Sequence, residues 1–460
     1  MQKQLAALES TDPVVQPTPA PGSTPVPTAS PAPTPTPAPA PTPGPTGLTA
    51  GYDFACYLKN GGIKCWGGNE YGQLGQGNTI TKGDQPGEVG PTLAQVSFSV
   101  GLSVKAVTAG YKHACALFTN STVRCWGWNR DGQLGYGDTI NRGDNSGEME
   151  NALLAVNLGT GRTAKALASG DLHNCAILDN DLVKCWGNGD GGRLGYGDSN
   201  HRGDGAGEMG DSLPYVDLGF GRTAKFIAAG QTHSCAILDN DRVKCWGRAH
   251  GGALGQGDTS TRGDEPNEMG DNLSYVSLGT GVSAATVVSA SDTYCMTDVS
   301  GRMKCWGGNE SGSAGIELSI LLKVGDEPGE MGDMLSFVNL GAGRTVKRIA
   351  GGNSTVCAIL DNDRLKCWGA NVAGVLGQGD TVARGGNAGD MGDNLAFVEL
   401  GSGRSVLRVA VGHDFACALL DDSRVKCWGR NQSGQLGLGD TVSRGDGPNE
   451  MGDNLPNLNL

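Results

Sequence analysis

No apolar run in this sequence approaches 18 residues, so no segment reads as a membrane-spanning helix. Clustered basic residues are missing too. Lys and Arg number 35 against 48 Asp and Glu, for a net charge of −13, which leaves no counterion-releasing surface for a nucleic-acid backbone. Aromatics make up 5% of the chain and charged residues 18%, a poor fit to a coiled coil or a conventional helical enzyme core. There is no Gly-x-Ser-x-Gly, no His-Glu-x-x-His and no Gly-Lys-Ser/Thr, so neither hydrolase nor P-loop chemistry finds a candidate. What abounds is glycine, 77 of 460 residues, without the strict three-residue spacing of collagen. A turn-rich β chain is expected.

The first boundary is compositional. Residues 1–12 form an N-terminal tail with neither a basic start nor an apolar stretch, so no export signal is visible in them. Residues 13–46 hold 14 of the 21 prolines, alternating with Thr, Ala, Ser and Val. Such spacing removes ladder donors and biases neighbours away from helix, predicting a disordered or polyproline II linker with a reach of about 100 Å. A docking ligand for a proline-binding domain is the alternative.

From residue 47 to 460 the chain repeats. Trp-Gly pairs begin at Trp66, Trp126, Trp186, Trp246, Trp306, Trp368 and Trp428, at intervals of 60, 60, 60, 60, 62 and 60. Short β-rich runs separated by Gly, Asn and Asp suggest about four strands per unit. Seven small sheets suit radial packing, so the predicted fold is all-β, a seven-bladed β-propeller of seven repeats. The first unit lacks the Asn-Leu-x-x-Val-x-Leu segment that precedes the others, and Asn454–Leu460 resembles it. The C-terminal strand is therefore expected to join the sheet of Cys56 and Cys65 and close the ring.

All 14 cysteines fall in pairs, one per unit. They are Cys56 with Cys65, Cys115 with Cys125, Cys175 with Cys185, Cys235 with Cys245, Cys295 with Cys305, Cys357 with Cys367 and Cys417 with Cys427. Six pairs are ten residues apart and the first is nine. A two-residue turn at Asn60-Gly61 puts Cys56 opposite Cys65, and a three-residue loop such as Asp239-Asn240-Asp241 puts Cys235 opposite Cys245. Val299-Ser300-Gly301 supplies glycine at the third loop position, where a left-handed conformation is expected. Cysteines opposed at a non-hydrogen-bonded site come near disulfide separation, so seven intrablade disulfides are expected. Reduced, buried thiols are the alternative. Zinc is disfavoured, because each pair supplies only two ligands. Seven disulfides would imply an oxidising compartment: extracellular, periplasmic or cell-surface.

The pattern His-x-Cys-Ala-x-Leu, a short turn, then Val-x-Cys-Trp-Gly and a glycine-rich segment resembles the repeat of the regulator of chromosome condensation family. Gly72-Gln-Leu-Gly75, Gly132-Gln-Leu-Gly135 and Gly434-Gln-Leu-Gly437 match its glycine-rich segment, and the resemblance covers about residues 48–460. It looks like a disulfide-bearing, bacterial-type variant. The resemblance implies seven blades, but function transfers poorly across a fold. Some members exchange nucleotide on a small GTPase and contact chromatin; another is a secreted protein that inhibits β-lactamases by binding them. The longer acidic loop departs from the usual repeat.

Other motifs have plain readings. Arg-Gly-Asp occurs at 142–144, 202–204, 262–264 and 444–446, but in phase with the repeat, which favours a turn with an Arg–carboxylate contact over integrin adhesion. Asp258, Asp264, Glu268 and Asp271 favour a solvated ion-pair network with Arg262 over a calcium loop. Gly159-Thr-Gly-Arg-Thr-Ala164 mimics a dinucleotide fingerprint without a following helix. His113, His173 and His233 share a position with Phe54, Thr293, Thr355 and Phe415, which favours packing or a local hydrogen bond over catalysis. Ile316–Val324 replaces a polar loop with apolar residues and reads either as an exposed anchor or as packing between blades.

Binding candidates are positions that differ between units: Tyr71, Trp128, Arg130, His250 and Arg430, all just after a Cys-Trp-Gly strand and of types that often dominate protein contacts. The expectation is a noncatalytic, exported or cell-surface scaffold, monomeric, binding a protein or surface glycan through loops on one face. No catalytic residue, cofactor, metal or nucleic-acid partner is assigned. The alternative is a guanine-nucleotide exchange factor or regulator of a small GTPase.

Overall fold

The computed structural model describes residues 47–317 and 322–460. The tail (1–12), the proline-rich linker (13–46) and the middle of the apolar insertion (318–321) lie outside the described residues. From Gly47 onward the chain forms seven antiparallel sheets, one per repeat, arranged as the blades of a propeller. In blade 4 the strands are Ala224–Ala229, His233–Leu238 and Val243–Gly247. The middle strand, His-Ser-Cys-Ala-Ile-Leu, is buried at all six positions. A strand at the centre of a blade is covered on both faces by its neighbours, so its sequence is nearly continuously apolar rather than alternating.

The turns follow from the cysteine spacing. In blade 1, Leu58 lies opposite Ile63 and Cys56 opposite Cys65, and Asn60 and Gly61 both have positive φ (54° and 80°), as a type I′ turn requires. In the other units the third loop residue is left-handed, as at Asp241 (φ 62°) and Gly301 (φ 80°).

The cysteine pairing is the one expected from these turns. Disulfides join Cys56 to Cys65, Cys115 to Cys125, Cys175 to Cys185 and Cys235 to Cys245. The remaining three join Cys295 to Cys305, Cys357 to Cys367 and Cys417 to Cys427. In each blade the two cysteines are direct cross-strand partners, as Cys115 is to Cys125 and Cys357 is to Cys367. Their Cα–Cα separations are 4.0–4.1 Å, the closer of the two antiparallel spacings. All fourteen are fully buried and none is free.

Blades are joined by repeated devices. Each Cys-Trp-Gly indole is fully buried and donates to a backbone carbonyl of the preceding blade; Trp246 Nε1 reaches the Arg193 oxygen at 3.1 Å. The core therefore sits in the wedges between neighbouring blades, as where Ile177, Val183 and Leu194 of blade 3 meet Ala236, Leu238 and Trp246 of blade 4. Lys244 extends over the Tyr275 ring and donates to the carbonyls of Leu218 (3.0 Å) and Gly270 (2.7 Å), clamping the segment that returns along the outside. Burial lowers its pKa. The same clamp recurs at Lys184, Lys304 and Lys366.

Two expectations are corrected. Among the described residues only blade 5 has a fourth strand, Lys323–Val324 on Gly307–Gly308; elsewhere one residue bridges, as Arg262 does to Gly247. Gly247 turns the chain out of the sheet (φ 109°), and the acidic loop folds on itself instead of extending. Second, the C-terminal segment does not join the sheet of Cys56 and Cys65. Leu458 bridges Val425 of its own blade, just as Val276 N–H bonds Val243 O in blade 4. The ring nonetheless closes: Trp66 Nε1 of blade 1 donates to the Gln435 carbonyl of blade 7 at 3.0 Å, and Leu458 packs in the wedge with Tyr57 and Trp66.

Candidate partner-binding face

The innermost strand of each blade ends at the propeller axis, where the chains approach too closely for most side chains. A methyl group built on Gly110 would lie 2.4 Å from the Gly170 oxygen and 2.1 Å from the His113 ring. Gly51, Gly170, Gly352 and Gly412 are confined in the same way. The residue that follows is different in almost every blade: Tyr52, Tyr111, Asp171, Gln231, Ser291, Asn353 and His413. Together they rim a cavity of about 120 Å³. Backbone bonds join part of this rim, from Tyr52 N–H to Tyr111 O (3.0 Å), Tyr111 N–H to Asp171 O (3.0 Å), Asp171 N–H to Gly230 O (3.2 Å) and Asn353 N–H to Gly412 O (3.4 Å). A fixed backbone thus carries a varied set of side chains.

The loops after Cys-Trp-Gly open on the same face, because their first residues bond the turn beside the rim. Trp128 N–H donates to Lys112 O and Arg430 N–H to Asp414 O, both at 2.9 Å. Tyr71 and Trp128 are brought together, with ring centroids 5.3 Å apart, and Tyr111 (6.3 Å from Trp128) links them to Tyr52, 4.2 Å further on. Lys112 Nζ sits 5.2 Å from the Tyr71 ring centre and 5.9 Å from that of Tyr52. It bonds Glu70 at 2.7 Å and faces Asp53 at 3.9 Å. Burial works against its charge, but these carboxylates prevail and raise its pKa. Burial also raises Tyr111, to about 12, helped by neighbouring Tyr52.

Arg130 borders the aromatic sector, 74% exposed and 4.0 Å from Asp131. His250, 67% exposed, stands in another blade and pairs with Asp292 at 2.9 Å. Arg430 is less free. It is held at 3.0 Å by Asp414, which also accepts from His413 at 2.9 Å and is only 4% exposed. Despite burial, the His413 hydrogen bond and the Arg430 guanidinium hold Asp414 below the usual carboxylate range. The five candidates therefore share one face, but only Tyr71 and Trp128 touch. Sequence reasoning misses the rim residues; their signal is variation at the position following glycine in successive repeats.

The remaining motifs are absorbed by the scaffold. Each Arg of Arg-Gly-Asp pairs with the aspartate four residues earlier, as Arg262 with Asp258 at 2.8 Å. Glu268 accepts from the N–H groups of Gly263, Asp264 and Glu265, and Asp264 beside it is raised in pKa by burial and by that glutamate. Gly159-Thr-Gly-Arg is a turn entering the strand Ala164–Ser169, with Arg162 N–H on Gly159 O. His113, His173 and His233 are fully buried; His173 bonds Ser234 at 2.8 Å and His233 packs edge-on against Tyr294. In the apolar insertion Ile316 packs on the core and Val324 is buried, whereas Leu322 is exposed.

A model of the regulator of chromosome condensation (RCC1) repeat matches residues 46–73, 104–133, 164–193, 224–252, 346–375 and 406–435, and a second model of that repeat matches 60–117. The chain is 28% identical over 407 residues to the ultraviolet-B receptor UVR8 of Arabidopsis thaliana, covering 86% of this chain and 79% of that protein. Its fold is similar to that of human WBSCR16, with a TM-score of 0.61 at 18% identity over 82% of this chain and 90% of the other. It is also similar to Prp20p of Saccharomyces cerevisiae, whose binding to Gsp1p and histones has been described, with a TM-score of 0.61 at 17% identity over 89% and 85% of the two chains.

Proposed function

We propose that this chain, which belongs to the regulator of chromosome condensation repeat family, is a noncatalytic recognition scaffold that binds a protein or surface glycan through the rim-and-loop face. One observation carries this reading: side chains of different chemistry stand at equivalent points of a partly hydrogen-bonded rim, beside the Tyr71–Trp128 cluster. A preordered face loses little entropy on binding, so contacts convert efficiently into affinity. The seven disulfides support an oxidising location, extracellular, periplasmic or at the cell surface, and residues 13–46 would act as a spacer.

Capture by residues 48–460, repeated with Trp128→Ala, tests the face. The partner should be lost from the variant, and a partner captured equally well by both overturns the assignment. The second reading is a regulator of a small GTPase, favoured by the likeness to Prp20p and its binding to Gsp1p. Nucleotide release from a GTPase, accelerated by the chain and slowed by Asp171→Asn, would favour it instead.

A further inference from the structure

The acids on this face mostly have a basic side chain beside them. Asp53 faces Lys112, Asp131 faces Arg130, Asp292 faces His250, and Asp414 faces Arg430 and His413. Asp171 is different. It lines the axial cavity, and among the described residues it forms no ion pair. The neutral Gln231 side chain stands beside it, and burial raises its pKa. His413 and Arg193 are near enough to offset part of that rise, but neither bonds Asp171: the Arg193 guanidinium donates to the carbonyls of Asp190 and Gln231, both at 3.0 Å. His413 is committed to Asp414 at 2.9 Å.

Asp171 is only half-buried, so its carboxylate is open to the cavity and to a ligand entering it. The fold does not require an acid here, because the equivalent position in other blades holds Tyr, Gln, Ser, Asn or His. Tyr52 and Tyr111 line the same cavity, packed on each other with centroids 4.2 Å apart and with His413 4.4 Å from Tyr52, and tyrosine rings attract cations.

We propose that the axial mouth is a subsite for a primary ammonium group, carried by a lysine side chain of the protein partner, with Asp171 as its counter-ion and Tyr52 and Tyr111 as its aromatic wall. This rests on the recognition reading above and names the chemistry that the face selects. A compact ammonium on a slender stem suits a cavity of about 120 Å³, and its three donors suit acceptors spread round an axis better than a planar guanidinium does.

The test is an amide NMR titration of the full chain with Nα-acetyl-lysine N-methylamide, its Nε-acetylated form and 1,4-diaminobutane. The lysine probe should shift the amides of Gly110, Asp171, Gly230 and Gly412 saturably, and the acetylated form should not. Asp171→Asn should weaken binding by about tenfold or more with the melting temperature kept, since Asn353 shows that asparagine fits this rim. Absence of saturable shifts, equal binding by Asp171→Asn, or a preference for diaminobutane overturns the proposal. Partner capture separates the two claims: loss with Trp128→Ala but not with Asp171→Asn leaves the face standing and removes the lysine subsite.

Discussion

Acid should destabilise this propeller through three histidines that have no access to water. His113 and His233 are fully buried, and desolvation lowers each from the usual 6.5 to about 4; His173 is lowered further by burial and by Arg193. Because the folded pKa lies below the unfolded one, the unfolded chain takes up protons first. Stability should be intact above about pH 7, fall between pH 6.5 and 4, and lose nothing more from these two groups below that. A shift from 6.5 to 4 corresponds to roughly 3 kcal/mol per histidine, of which about 2 kcal/mol is already lost at pH 5. His233→Phe isolates the effect, because Phe54 and Phe415 fill the equivalent place in blades 1 and 7 and carboxylates titrate alike in both proteins. Urea unfolding with disulfides intact, at about pH 7 and pH 5, should show the wild type losing about 2 kcal/mol more than the variant. Parallel pH profiles, or an imidazole resonance for His233 titrating near 6.5, would refute the argument.

The other predictions are structural. Alkylation of untreated folded protein should label no thiol, and should label fourteen after reduction and unfolding; free thiols in native material would remove the case for an oxidising compartment. Replacing Cys235 and Cys245 together by alanine should cost about 3 kcal/mol in chemical unfolding, since their bond closes a loop of about ten residues. Gly110→Ala should lower stability by about 1–3 kcal/mol or more, because the new methyl meets the Gly170 oxygen, and an unchanged melting curve would count against the packed axis. Deleting residues 454–460 should lower the melting temperature yet leave the small-angle scattering envelope closed, as the Trp66–Gln435 bond persists; an opened arc would show that the C-terminal segment is the latch.

What could be read from the sequence, and what could not, divides along a physical line. The hairpins were legible because strand side chains alternate with period two: a change of one residue in loop length must move the partner of Cys56 or Cys235 by one, and the nine- and ten-residue spacings record that shift. The placement of the C-terminal segment was not legible, because one apolar pattern satisfies two neighbours. Val216 bonds the Val183 carbonyl of its own blade while its side chain lies in the wedge with Ala236 and Trp246 of the next. Leu458 does the same at the junction of blades 7 and 1, so its apolar character could not say which sheet supplies the hydrogen bond. The site shows the same split. Tyr71 and Trp128 stood out as large side chains in polar loops, whereas Tyr52, Tyr111 and Asp171 lay at the ends of inner strands and looked like turn residues. Only convergence at the axis makes them one surface. A carboxylate that is unremarkable beside Gly170 in sequence lies, at that point of convergence, in the axial cavity, with no ion pair among the described residues. Recognition chemistry in a radial repeat is therefore best sought at positions whose phase is constant and whose identity is not, since the fold fixes the first and leaves the second free.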